Sequence, residues 1–284
     1  MLTKLLVGIV SALVLVSCVT RFSEVAPRGG WRAEAEIACM DRRAELLLSR
    51  AGEAPAVEQT DPLAIVELPA IVEGECGMDR PLKVSALAGG RTVISPTPTL
   101  GCPLTEALEA WLGESVQPAA IAWIGSPVVE IEQISAYACR KRNNFGSGFS
   151  EHAFGNALDI AGFKFANGRK ITFAKDWNST PKIESFFREI FATACQRYTT
   201  VLGPGFNILH FNHIHIDLAI VAPDNSPKMC KPMPEVTPPQ RTPFESGLIA
   251  GAAGQSNTDP SSALSTLPAA AAPVATDTAI PGVN

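Results

Sequence analysis

Apolar positions between residues 183 and 198 recur at helical spacing. Phe186, Phe187, Ile190 and Ala194 fall at i, i+1, i+4 and i+8 and form one stripe, which predicts a helix from Ile183 to Tyr198. Ile37, Met40, Ala44 and Leu47 repeat at i, i+3, i+7 and i+10, predicting a helix from Glu34 to Ala51 with Gly52 as its stop. Leu104, Leu108, Trp111 and Leu112 place a third helix over Leu104–Leu112. Elsewhere the period is two. Leu82–Leu87, Val128–Ala138 and Ile214–Ile220 are predicted strands, and Phe154–Phe163 and Lys170–Phe173 flank the turn Ala166-Asn167-Gly168. Ile65–Val72 is a weaker strand, which Pro69 confines to an edge. Strands outnumber helices without βαβ alternation. The expected class is α+β, with a small, mainly antiparallel sheet and flanking helices.

The two ends of the 284-residue chain break these patterns. Lys4 precedes an apolar run of twelve residues, Leu5 to Val16, too short to span a bilayer comfortably but suited to a secretion signal. The run ends in Leu15-Val16-Ser17-Cys18, which resembles the bacterial lipobox, where cleavage before Cys18 leaves it to be lipidated. The alternative is an ordinary secretory signal with Cys18 incidental. Val19 follows the Cys, with no Asp there, which by lipobox rules points onward to an outer membrane. At the other end, Lys231–Asn284 carries nine prolines and long Ala and Ser/Thr stretches, a composition that reads as disorder. The organisation expected is a signal over 1–17, a linker over 18–30, one folded domain over 31–230 and a tail over 231–284.

Composition narrows the possible partners. Hydrophobic residues make up 46%, enough for a core. The 23 Lys+Arg against 28 Asp+Glu give a net charge of -5, which argues against nucleic acid, since a phosphate footprint needs clustered cations. Beyond Cys18 stand Cys39, Cys76, Cys102, Cys139, Cys195 and Cys230. In an exported protein this even set predicts three disulfides, with the pairing open; buried free thiols are the alternative.

The four histidines fall in two short segments: His152 within Ser150–Asp159, and His210, His213 and His215 within His210–Asp217. In a strand His213 and His215 point the same way, about 6–7 Å apart, while Ile214 and Ile216 enter a core. Asp217 shares the histidine face and can accept a ring N–H. Ala157, Asp159 and Ala161 share a face of small side chains, which leaves room beside the Asp159 carboxylate for an ion. His152, Asp159 and one His of the pair make three ligands, the number a catalytic zinc takes while keeping a position for water. The histidine left over can move a proton or meet a developing oxyanion. The blander reading is a tight turn and a packed strand, with Asp217 capping a loop.

The motif S-x-H-x-x-G-x-A-x-D over Ser150–Asp159, together with His213-Ile214-His215, resembles the zinc peptidase superfamily. That superfamily contains D-Ala-D-Ala carboxypeptidases, penicillin-insensitive murein endopeptidases and lysostaphin-type enzymes. Within it the chain resembles most the extensin-like C-terminal domain family of bacterial envelope proteins, through Ser135–Arg140, Ser150–Asp159, Thr200–Gly205 and His213–Asp217. The label does not imply a plant cell-wall extensin. The resemblance covers about Cys39–Cys230 and implies a hedgehog/D-Ala-D-Ala peptidase type of fold. It implies zinc held by His152, Asp159 and His215, with His213 as the non-ligand histidine. Arg140, or else Arg142, would meet a substrate carbonyl or carboxylate, and Ser150 joins the substrate-binding residues. Where the carboxypeptidases carry a general-base Glu, this chain has Asn212, and an amide takes no proton. The His210, His213, His215 spacing is closer to the murein endopeptidases, making His213 or His210 the base. The function expected is a zinc hydrolase of peptidoglycan peptide bonds, anchored to the membrane through Cys18 and facing the periplasm. The rivals are a zinc-retaining binding module without catalysis and a metal-free structural lipoprotein.

Overall fold

The computed structural model of the protein describes residues 30–51, 64–142, 148–219 and 229–243. The signal, Cys18, most of the linker, Gly52, and the tail from residue 244 onward lie outside them. All described residues fall in one compact unit that ends at Phe244. Among them no helix is long and apolar enough to cross a membrane.

The chain opens with helix α1 (Trp31–Ala51), followed by short strands β1 (Ile65–Glu67), β2 (Ile71–Glu73), β3 (Cys76–Met78), β4 (Leu82–Val84), β5 (Ala86–Leu87), β6 (Thr92–Ser95) and β7 (Thr99–Leu100). Helix α2 (Cys102–Trp111) runs on through a π segment, one α turn and a second π segment to Ile124. The wide turns flank Pro118, which cannot donate a backbone hydrogen bond. Strand β8 (Val128–Ser135), a 3₁₀ turn (Glu151–Phe154), β9 (Ala157–Phe165) and β10 (Lys170–Thr172) follow. Helices α3 (Phe173–Asp176) and α4 (Pro181–Arg197) precede β11 (Thr200–Leu202), a 3₁₀ turn (Ile208–His210), β12 (Ile214–Asp217) and β13 (Met229–Lys231).

The class is mixed α/β, as the periodicity predicts, but there are several sheets where one was expected, and the main sheet is not small. It has eight strands in the order β13-β11-β12-β9-β8-β6-β5, with β10 added on β9. Its β6–β8 and β11–β13 pairs are parallel and the others antiparallel. The predicted Ile65–Val72 strand is two strands in two different sheets, divided around Pro69. The Leu82–Leu87 segment is likewise divided, at Ser85.

The core lies between the main sheet and helices α2 and α4. Phe186, Phe187, Ile190 and Ala194 are all fully buried, as their stripe predicts, and so are Leu104, Leu108, Trp111 and Leu112. In β9, Leu158 and Ile160 enter this core, and a bulge at Ala161 changes the phase, because Glu132 pairs with Gly162 while Gln133 pairs with Ile160. Phe163 and Phe165 therefore also turn into the core and meet Phe186, each with ring centroids 5.7 Å from it. One strand thus carries a core on one side and, before the bulge, Asp159 on the other.

Helix α1 bears out only part of its predicted stripe, since Met40 is buried in the core while its neighbours on the stripe are exposed. Ile37 and Leu47 are 51% and 56% exposed. The face that docks is largely polar and covalent: Glu36 accepts hydrogen bonds from the backbone of Asp79 and Arg80, both at 2.9 Å, and Cys39 is bonded to Cys102. Arg42 adds an ion pair to Glu106. The expected three disulfides form, as Cys39–Cys102, Cys76–Cys139 and Cys195–Cys230. Composition places a boundary at Cys230, yet the described chain continues: Lys231 pairs in β13, and Arg241 donates two hydrogen bonds to Glu189 of α4.

Candidate metal centre

Strand register brings two of the predicted ligands together. Asp159 of β9 is the direct cross-strand partner of His215 in β12, with Leu158 opposite Ile216 and Ile160 opposite Ile214. The isoleucines of β12 are fully buried, so its other face must present His215 and Asp217. His152 reaches the same point from the 3₁₀ turn before β9. That turn is capped by Ser150, whose hydroxyl accepts the His152 N–H, and it ends at Gly155 with φ 60°. A Cβ at Gly155 would lie 2.0 Å from Met78 Sδ and 2.9 Å from the Gly101 nitrogen, so glycine is required there.

Each histidine is oriented by its other nitrogen. His152 Nδ1 lies 2.6 Å from the Ala136 carbonyl, which can only accept, so Nδ1 carries the proton and Nε2 presents a lone pair. His215 Nε2 donates to Asp217 Oδ2 at 3.0 Å, which leaves Nδ1 facing Asp159, with a proton in the metal-free chain and a lone pair once an ion displaces that proton. His152 Nε2, His215 Nδ1 and Asp159 Oδ1 converge. The separations are 3.2 Å between the rings, 2.8 Å from His215 to Asp159 and 3.3 Å from His152 to Asp159. Three acceptors facing one another repel unless a proton or a cation lies among them. Ligand bonds of about 2.0–2.1 Å at the tetrahedral angle put ligand atoms about 3.3–3.4 Å apart, so two sides of the triangle match a small tetrahedral ion and the His215–Asp159 side would open by about 0.5 Å to admit it. His152 is fully buried and Asp159 is 6% exposed. The other cluster of ligand-type side chains among the described residues, Cys39, Cys102 and Glu106, has its two sulfurs committed to a disulfide.

The charge balance of the centre points the same way. Burial disfavours ionised Asp159, yet the neighbouring His152 and His215 hold its carboxyl well below the usual carboxylate range. Burial also disfavours a charge on His215, but Asp159 and Asp217 outweigh it and push that pKa up to about 9. The pocket favours positive charge.

His213 and His210 stand beside this cluster. His213 Nδ1 donates to Asn212 Oδ1 at 2.9 Å, which leaves Nε2 facing Asp159 Oδ1 at 3.7 Å. His210 Nδ1 donates to Asn207 Oδ1 at 2.7 Å, and its ring centroid lies 5.2 Å from that of His213. Burial lowers the pKa of His213, against the pull of Asp159. Burial, followed by the neighbouring His213 and His215, lowers His210 to about 4. Both rings are therefore neutral at pH 7. Arg140 lies near enough for its charge to act on His210, and its carbonyl accepts the Ser150 N–H at 3.0 Å. Arg142 turns back to the Phe149 carbonyl at 3.1 Å. Ser150 is buried as the cap of the His152 turn.

A groove of about 400 Å³, lined by Thr97, Thr99, Gln133, Ser135, Ala136 and Tyr137, borders the segment that holds His152. A larger cavity of about 530 Å³, between α4 and residues 238–243, contains none of these histidines; chemistry, not size, marks the site. Sequence reasoning missed the orienting groups: the Ala136 carbonyl, Asn207 and Asn212. Asn212 stood out only as a departure from a pattern, and a backbone carbonyl leaves no sequence signal.

A disulfide-stapled α/β domain that gathers a His/Asp/His cluster on its central sheet defines the class. The family model described as Extensin-like protein C-terminus matches residues 55–231, and the chain belongs to that family. No curated protein and no solved structure matches the chain.

Proposed function

We propose that the protein is a zinc-dependent hydrolase that cleaves peptide bonds of peptidoglycan, held at the bacterial envelope by a lipid on Cys18 and facing the periplasm. The observation that carries the metal reading is the convergence of His152 Nε2, Asp159 Oδ1 and His215 Nδ1, with both remaining ring nitrogens committed to acceptors. Two imidazoles and one carboxylate suit zinc. The substrate class rests on the resemblance of Ser150–Asp159 and His213–His215 to the murein peptidases.

When bound, zinc supplies a polarised carbonyl and a water acidified towards neutral pH. The chain supplies the proton path and the positioning. His213, neutral and oriented by Asn212, takes the proton of the attacking water at Nε2 and returns it to the leaving amine. His210 backs it, with the two ring centroids 5.2 Å apart and the planes tilted by 44°. Arg140 meets a carbonyl or carboxylate of the substrate, and the groove beside Ala136 accommodates the peptide. Asn212, an amide where the carboxypeptidases carry a base, favours a second reading: a zinc-retaining module that binds muropeptides without cutting them.

The test is to measure metal content and the fragments released from purified peptidoglycan by mass spectrometry, beside the His215→Ala variant. One zinc per chain with fragments that vanish in the variant is expected. Zinc without turnover supports the binding module, and a chain that takes up no zinc after reconstitution overturns both.

A further inference from the structure

Resting on the metal reading, the structure assigns a positioning role to Arg32, which lies in a helix upstream of the part of the chain that defines the family. The family match begins at residue 55, whereas α1 spans Trp31–Ala51. From its first turn Arg32 reaches across the fold to Glu151, the residue directly before the ligand His152. Its guanidinium makes two parallel hydrogen bonds to that carboxylate, at 2.7 and 2.8 Å. Bidentate charge-assisted pairs of this kind are strong and fix orientation as well as distance.

Glu151 has few other ways to be satisfied. Its side chain is 4% exposed, and its further partner is Asn156 Nδ2 at 2.9 Å. Asn156 sits at the other end of the same turn, so one carboxylate bridges both ends of the segment that projects His152. The Arg32 guanidinium lies between two aromatic rings, 4.2 Å from the Trp31 centroid and 4.0 Å from that of Phe154. Phe154 closes the turn that carries His152. Helix α1 cannot drift away, because Cys39–Cys102 and the Glu36 contacts hold it. Arg32 therefore braces the metal-ligand turn from outside, much as the Ala136 carbonyl just past β8 braces the His152 ring.

Loss of this brace frees the turn and leaves a buried carboxylate unpaired, so the ligand triangle loses its preset geometry. Groups hydrogen-bonded to a metal ligand typically govern about 10–100-fold of the metal's affinity, and Arg32, which acts through the residue beside the ligand, is expected to govern less. The experiment uses the full chain and measures the zinc dissociation constant by competition with a chromophoric chelator, together with the absorption bands of bound Co²⁺. The set is wild type, Arg32→Ala, Arg32→Lys, Glu151→Gln and the Arg32→Ala/Glu151→Gln double variant. Arg241→Ala, which breaks a remote ion pair, controls for general loss of stability.

Arg32→Ala is expected to weaken zinc by up to about 10-fold, the low end for groups bonded directly to a ligand, and to alter the Co²⁺ bands. Arg32→Lys should restore part of the affinity, since an ammonium keeps the charge but not the fork. The double variant should lose no more than the worse single variant, because both remove one interaction. Arg241→Ala should leave the affinity unchanged. Zinc binding by Arg32→Ala equal to that of wild type overturns the inference and leaves the metal reading standing. An equal loss in Arg241→Ala overturns it too, by making the effect one of stability alone. Failure of the wild-type chain to bind zinc overturns the metal reading and this inference with it.

Discussion

Asp159 and His215 face each other because β9 and β12 pair in the one register that buries Leu158, Ile160, Ile214 and Ile216. A slip of either strand by one residue would turn that strand's ligand into the core. Asp217 then fixes which nitrogen of His215 is protonated. In the metal-free chain His215 holds a proton up to about pH 9, against an unperturbed value of 6.5. The raised pKa makes its charged form stabilising: the contribution is fully present below 6.5 and fades as pH rises through about 9. An entering ion must displace that proton. Zinc affinity should therefore rise by roughly tenfold per pH unit between 6.5 and 9, with about one proton released per ion at pH 7. Calorimetry in buffers of different ionisation enthalpy reads both, and an affinity flat across that window would contradict the assignment.

At the level of elements, α4 and α1 behave in opposite ways. The α4 stripe is read correctly because it packs on a continuous apolar surface of sheet and aromatic rings. Helix α1 is held instead by Glu36, Cys39 and Arg42, with Met40 as its one stripe residue in the core. Glu36→Ala should accordingly cost about 1–3 kcal/mol, since it leaves two backbone N–H groups without their acceptor. Ile37→Gln and Leu47→Gln, both at exposed positions, should stay within about 0.5 kcal/mol of wild type. Urea denaturation of the three variants separates the cases; a large loss from the apolar pair would restore the predicted stripe as the docking face.

For the molecule as a whole, the disulfides link elements far apart in sequence. Cys39–Cys102 and Cys76–Cys139 each close 63 residues, and both lie near the His152 turn: Cys102 follows Gly101, whose N–H donates to the Gly155 carbonyl, and Cys139 precedes Arg140. The ordered domain also extends past its last cysteine. Arg241 neutralises Glu189, whose side chain is 5% exposed and also accepts the Trp123 indole N–H. A chain ending at residue 230 should therefore be less stable than one ending at residue 243, by about 1–3 kcal/mol for the carboxylate left half-paired. Thermal unfolding of the two truncations checks this, and equal midpoints would place the boundary back at Cys230.

Local pattern was enough for the long helices, the strands that carry the ligands and the ligand candidates themselves, because burial periodicity and metal-ligand spacing are properties of neighbouring residues. It was enough as well to expect three disulfides from six cysteines. It was not enough to pair them, to extend the main sheet to eight strands, or to see Arg32 reach Glu151 119 residues away. Those outcomes depend on which distant segments meet. That meeting is settled by the register that buries the most apolar surface and satisfies the buried polar groups together, a condition imposed by the folded chain rather than by any stretch of it.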